Sequence, residues 1–161
     1  VDALLLAGAI RRPVRFVMFK PIYDTPVLNY IFKTGKTIPI DSKTRNPAIY
    51  EQAFLRVQKE LNEGEVVCIF PEGKLTTDGE IDEFKNGVEK MIATTPVPVV
   101  PMALSGLWGS FFSHKDGNAL TTFPRRFWSR VRLNVGTPIA PENVSAKDLQ
   151  HQVQLLRGDT P

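Results

Sequence analysis

Apolar residues along this chain recur with two periods, roughly 3.6 and 2 residues, and the switches between them mark its elements. Asp2 to Arg12 opens with Ala-Leu-Leu-Leu and is stopped by Pro13, which predicts a first helix. Val14 to Met18 predicts a strand, Pro26 to Lys33 a short helix ending at Gly35, and Thr37 to Ile40 a short strand. Asn46-Pro47 reads as a helix start, with Asn as N-cap and Pro in the first turn. Ile49, Ala53, Val57 and Leu61 then recur every fourth residue on one face, and Gly64 closes that helix. The β-branched and aromatic run Val66 to Phe70 predicts a buried strand, cut short by Pro71 and Gly73.

A helix from about Asn86 to Ala93 leads to Val97-Pro98-Val99-Val100-Pro101, a strand whose two prolines place it at an edge or a strand end. From Gly106 to Trp128 the pattern dissolves into an aromatic and basic loop region. Arg130 to Val135 alternates as a strand does, and Ser145-x-x-Asp148 is a capping box for a last helix carrying Leu149, Val153 and Leu156. Helices and strands alternate throughout, so the fold class expected is α/β, a layered domain with a mixed central sheet flanked by helices. At 161 residues the chain forms one domain, 1–161, large enough for a real core. Val1 already lies inside a helical pattern, and the natural N-terminus is expected upstream.

Composition narrows this modestly. Hydrophobic residues make up 42% and charged ones 23%, which excludes a disordered chain. The longest apolar run, Ala3 to Ile10, falls far short of the ~20 residues that span a bilayer. Cys68 is the single cysteine, so no internal disulfide forms; mid-strand, it reads as small core filler. The net charge of +3 is unevenly spread, with Arg11, Arg12, Arg15 and Lys20 in one group and Arg125, Arg126, Arg130 and Arg132 in another. Clustered positive charge suits an anionic partner, although solvated faces produce the same pattern.

The chemistry concentrates at Phe70-Pro71-Glu72-Gly73-Lys74. The break after the strand leaves a carboxylate and an ammonium at a strand tip, where open α/β sheets place their sites. Phe84-Lys85-Asn86-Gly87 follows at the start of a helix, so strand end, polar loop and helix N-terminus together suggest an anion cradle.

Four elements occur in order: Asp2 before Ala3-Leu4-Leu5-Leu6; Gly35-Lys36-Thr37-Ile38-Pro39-Ile40; Phe70-Pro71-Glu72-Gly73; and Val97-Pro98-Val99-Val100-Pro101. In this order and spacing they resemble the glycerophospholipid acyltransferase family, which includes 1-acylglycerol-3-phosphate acyltransferases, over nearly the whole chain. The resemblance implies a glycerol-3-phosphate acyltransferase-like fold. It also implies transfer of a fatty acyl group from acyl-CoA or acyl-carrier protein to a lysophospholipid such as 1-acyl-glycerol-3-phosphate, with no cofactor and no metal. The family's first motif is His-x-x-x-x-Asp, whose last residue matches Asp2; its His, the implied general base, would fall before residue 1, leaving a fragment that lacks its base. The resemblance makes Asp2 catalytic, orienting that imidazole as carboxylates do in other acyl-transfer sites.

Glu72, Gly73, Lys74 and Thr76 match the family's substrate-binding motif, commonly Phe-Pro-Glu-Gly-Thr-Arg-Ser. Here residues 74–76 read Lys-Leu-Thr, so the basic residue comes one position early, and a lysine cannot reproduce an arginine fork. Lys85 is a second phosphate candidate, and Arg45, the nearest arginine after the Gly35 to Ile40 stretch, a third substrate-binding one. The Val97 to Pro101 element is expected to be structural. His114 and His151 read as lone surface or cap histidines. The expected partners are the acyl carrier, the lysophospholipid and a membrane surface with anionic lipid, reached by Leu107, Trp108, Phe111, Phe112, Phe123, Phe127 and Trp128; no nucleic acid is expected. Membrane association on the cytoplasmic face follows. Two alternatives stay open: a 2-acylglycerophosphoethanolamine acyltransferase of lysolipid recycling, and a non-catalytic lipid-binding module of the same fold.

Overall fold

A computed structural model describes residues 2–24, 30, 33–73, 81–105 and 131–158. Its centre is strand β1 (Val14–Phe19), which pairs in parallel with β2 (Ile38–Ile40) on one side and β3 (Val66–Ile69) on the other. The registers Phe19↔Ile40 and Val17↔Ile69 bring the carboxyl ends of all three strands to one edge. A strand with neighbours on both sides and covered faces must be apolar nearly throughout, which explains the Val-Arg-Phe-Val-Met-Phe run.

The alternation of side chains sorts these residues between two layers. Val14 and Phe16 join Leu6 of helix α1 (Asp2–Ala9) in one buried cluster, against which Val66, Cys68 and Phe70 pack. Val17 faces the other way with Ile38, and packs on Ala53 and Val57 of helix α3 (Pro47–Asn62) and on Met91 of helix α4 (Gly87–Thr94). A one-turn helix, α2 (Lys20–Tyr23), continues directly from β1. Helix α3 starts as the sequence demands: the Asn46 side chain accepts the Ile49 N–H at 3.3 Å and Pro47 occupies the first turn. It ends ahead of Gly64, whose φ of +78° carries the chain back toward the sheet.

Arg15 shares the Val17 face, where a charge needs a partner. It finds Glu60 of α3, itself 9% exposed, at 3.0 Å, and lies 3.7 Å from Glu65. Arg12 donates to the Gly64 carbonyl at 2.7 Å, and Lys20 pairs with Asp24. Three members of the first basic group are thus paired within the chain: Arg15 largely out of solvent, Arg12 and Lys20 at the surface.

The second half adds β4 (Met102–Ser105) antiparallel to β5 (Arg132–Val135), a 3-10 turn (Pro141–Asn143) and helix α5 (Ala146–Arg157). Met102, Leu104 and Leu133 pack on the Leu6–Phe16 cluster, so this pair joins the α1 layer. Ser145 caps α5 by accepting the Asp148 N–H at 3.1 Å, and Leu149 packs with Phe84, Val88 and Ile92. Gly136 is required by space, since a Cβ there would lie 2.8 Å from Pro101 Cγ and 3.1 Å from Leu156 Cδ1.

The expected α/β layering is present, but among the described residues the parallel strands and the antiparallel pair form two separate sheets and not one mixed sheet. Two boundaries differ by more than two residues. The first helix ends at Ala9 and not Arg12. The strand expected over Val97 to Pro101 begins only at Met102; between its prolines Val99 makes a single bridge to Ile139, because Pro98 and Pro101 have no N–H to continue a ladder. Most of the helix expected over Pro26 to Lys33, and the aromatic region from Gly106 to Trp128, lie outside the described residues.

Two outcomes follow from this packing. Arg15→Met should destabilise the fold by about 3–5 kcal/mol by stranding Glu60, whereas Arg15→Met with Glu60→Leu should recover most of that loss. Urea midpoints read the difference, and strictly additive losses would contradict a coupled buried pair. Burial pushes the Cys68 thiol up to about 12 from an ordinary value of 9.0. The unfolded thiol therefore ionises first, so the contribution of this group is complete below about pH 9 and is lost as pH rises toward 12. Thiolate absorbance of the native protein appearing below pH 10 would contradict the burial described.

Candidate active site

The site is built where β3 stops. Phe70 leaves the strand with its ring stacked on Phe16, centroids 6.4 Å apart, which anchors the first residue of the turn in the α1 layer. Pro71 and Glu72 then turn the chain, and the Gly73 N–H returns to the Phe70 carbonyl at 3.1 Å. Gly73 has φ +68°, a left-handed conformation that glycine adopts without cost.

A second segment closes on this turn. The Lys85 N–H donates to the Pro71 carbonyl at 3.0 Å, and Glu72 Oε2 accepts the Asp82 N–H, also at 3.0 Å. Phe84, 8% exposed, is buried between these two contacts, and its own N–H donates to Gln150 Oε1 of α5 at 3.1 Å. The Glu72 carboxylate therefore works on backbone, holding residues 82–85 against the strand-end turn. Asp82 and Gln150 escaped the sequence reading because their contributions, a main-chain N–H and a side-chain amide on a distant helix, leave no motif. The apolar pair Ile81 and Phe84 was the one local signal that this segment returns to the core.

Lys85 is exposed, and its side chain lies across Gly73: a Cβ built on that glycine would sit 2.9 Å from Nζ and 3.3 Å from Cδ and Cε. Arg45 comes to the same sheet edge from the loop after β2. Asp41, 7% exposed, accepts the Ser42 N–H at 2.7 Å and lies 3.8 Å from Arg45 Nη1, while the guanidinium sits 5.5 Å from the centre of the Phe19 ring. A guanidinium over an aromatic face at the end of β1 is held without being buried. Asp2 is the first residue of α1, and its neighbour Ala3 packs on the cluster that also holds Phe70, so the start of this helix belongs to the turn's layer. Lys74, Thr76 and His114 lie outside the described residues.

His151 lies elsewhere, exposed on α5 beside a groove of 720 Å³ that is also lined by Glu83, Glu89, Lys147 and Asp148. Three carboxylates there oppose an anionic headgroup, whereas the Pro71–Gly73 turn has an ammonium over it. Among the described residues no helix is long and apolar enough to cross a membrane.

Comparison with known proteins bears on the family and the fold. A family model described as Acyltransferase matches residues 1–105, which hold the strand-end turn and all three parallel strands. A probable 1-acyl-sn-glycerol-3-phosphate acyltransferase of Mycoplasma pneumoniae is 28% identical over 157 residues, covering 94% of this chain and 57% of the relative. An N-acylphosphatidylethanolamine synthase of Arabidopsis thaliana is 39% identical over 80 residues, 48% of this chain and 27% of its own. The crystal structure of the 1-acyl-sn-glycerophosphate (LPA) acyltransferase PlsC from Thermotoga maritima shares the fold, with a TM-score of 0.61 at 20% identity over 97% of this chain and 58% of that one. The chain thus spans somewhat over half the length of the Mycoplasma relative and of the Thermotoga chain. With the family model matched across 105 of its residues, the chain belongs to the acyltransferase family.

Proposed function

We propose that the chain is the acyl-transfer domain of an O-acyltransferase that esterifies a lysophospholipid such as 1-acyl-glycerol-3-phosphate, using an acyl-CoA or acyl-carrier-protein thioester, in phospholipid biosynthesis at a membrane surface. The observation that carries this reading is the clipped turn at the carboxyl edge of the parallel sheet, with Gly73 left-handed, Glu72 fixed to the Asp82 N–H and Lys85 overhead. An edge of this kind is where α/β sheets hold ligands. The names of the relatives favour a glycerophosphate ester as acceptor.

The chemistry required is the attack of an acceptor hydroxyl on a thioester carbonyl. The hydroxyl gives its proton to a base as the C–O bond forms, and the C–S bond then breaks with that proton returned to the thiolate. The base is the His that the first motif puts ahead of Val1, and Asp2 fixes its tautomer and stabilises the imidazolium. Glu72, Gly73, Lys74, Thr76, Lys85 and Arg45 form the acceptor side. Glu72 contributes through the loop it orders, because a carboxylate cannot attract a phosphate.

A chain carrying the native residues ahead of Val1 should release free thiol from acyl-CoA or acyl-carrier protein when given lysophosphatidic acid, and less readily with lysophosphatidylethanolamine. Replacing the restored His by Ala, or Asp2 by Asn, should lower kcat by roughly 10²–10⁴-fold. Glu72→Ala should raise the KM for the acceptor by roughly tenfold or more, since a hydrogen bond to a charged group is lost from the loop. Turnover that survives the His change would remove that His as the base, and the absence of turnover with every lysolipid would reject an acyl-transfer role and leave a lipid-binding module.

A further inference from the structure

We infer that Lys85 is the phosphate-directed cation of this site and that Gly73 is its seat, an assignment that rests on the acceptor reading of the strand-end turn. Most of the positive charges near the sheet are already engaged. Arg15 is taken by Glu60 and Glu65, Arg12 by the Gly64 carbonyl and Lys20 by Asp24. Arg45 is held by Asp41 and the Phe19 ring. Among the described residues the Lys85 ammonium has neither an ion pair nor a hydrogen-bond acceptor.

The backbone that carries Lys85 is fixed even though its side chain is exposed. Its N–H is bonded to the Pro71 carbonyl, Phe84 before it is buried, and Glu72 holds Asp82 three residues upstream. From that fixed point the side chain crosses the α-carbon of Gly73, with Cδ, Cε and Nζ all within 3.3 Å of where a Cβ would stand. Any side chain at position 73 would push the ammonium off the turn. Glycine here thus has two separate functions: its φ of +68° makes the turn, and its missing side chain admits the lysine.

The sequence gives this position added weight. Position 75 is Leu, which offers no side-chain donor. A lysine fixed at its backbone and free at its tip is a mobile point charge with three donors, able to follow a phosphate without demanding bidentate geometry. Glu72 is then a positioning residue for Lys85, acting through the Asp82 N–H.

The test is calorimetric binding of short-chain lysophosphatidic acid, compared with the monoacylglycerol that differs only by lacking phosphate. The wild-type chain should prefer the phosphate ester. Lys85→Met should weaken binding of the ester by roughly 10- to 100-fold and leave the monoacylglycerol unaffected, and Lys85→Arg should retain the preference. Gly73→Ala should weaken ester binding with Lys85 present yet add nothing in the Lys85→Met background. Gly73→Asn, which tolerates a left-handed backbone, serves the same purpose if the Ala variant fails to fold. Equal ester binding by wild type and Lys85→Met would overturn the assignment of Lys85 while leaving the acceptor reading intact. Additive losses at 73 and 85 would overturn the seat. A wild-type chain that does not discriminate the two ligands would overturn the acceptor reading itself.

Discussion

The fold depends on β1 having no solvent face. Six residues must satisfy a helix layer on each side while donating ladder bonds to two neighbours, and the period of two leaves no freedom in how they do so. Val14 and Phe16 belong to the α1 layer and Val17 to the α3 layer. A slip of one residue would exchange those sets and move Arg15 to the α1 side, away from Glu60. The ion pair therefore fixes the register: it contributes little net stability against a hydrophobic alternative, yet it penalises the wrong pairing heavily. Whatever stands at the carboxyl edge inherits its position from this alignment.

Much of that was legible in the chain. Asn46-Pro47 and Ser145-x-x-Asp148 announced their helices because capping is local chemistry, settled within four residues. The strand at Val66 was equally visible, since β-branched residues ending in Pro-Gly allow few other readings. The Val97 to Pro101 element misled for a physical reason. Its composition is that of a strand, but pairing needs donors, and the ladder waits until Met102, beyond the second proline. Long-range partners were out of reach altogether: nothing around Arg15 says that its counter-charge lies on a helix 45 residues later.

The candidate site divides along the same line. Residues 70–73 could be recognised from the sequence because the turn is made by its own members. The return of residues 82–85, the use of Glu72 on a main-chain N–H and the seating of Lys85 on Gly73 could not, because each is a contact between segments. The basic residues show the converse. Arg11, Arg12, Arg15 and Lys20 look like one surface cluster in sequence, but three of them already have partners within the chain, Arg15 in a largely buried pair. Charge counted along a chain overstates the charge left for a partner.

The clip between the turn and residues 82–85 has a consequence for how such a site can diverge. The Asp82 N–H donates to Glu72 and the Lys85 N–H to Pro71, so both ends of the intervening stretch are secured by residues outside it. Lengthening a tethered loop costs little, about 0.6 kcal/mol for each doubling. Insertions, deletions and rewritten residues between the two anchors can then accumulate without dislodging either one. A protein built this way can rewrite a short cassette of its sequence while the frame on either side of it stays the same.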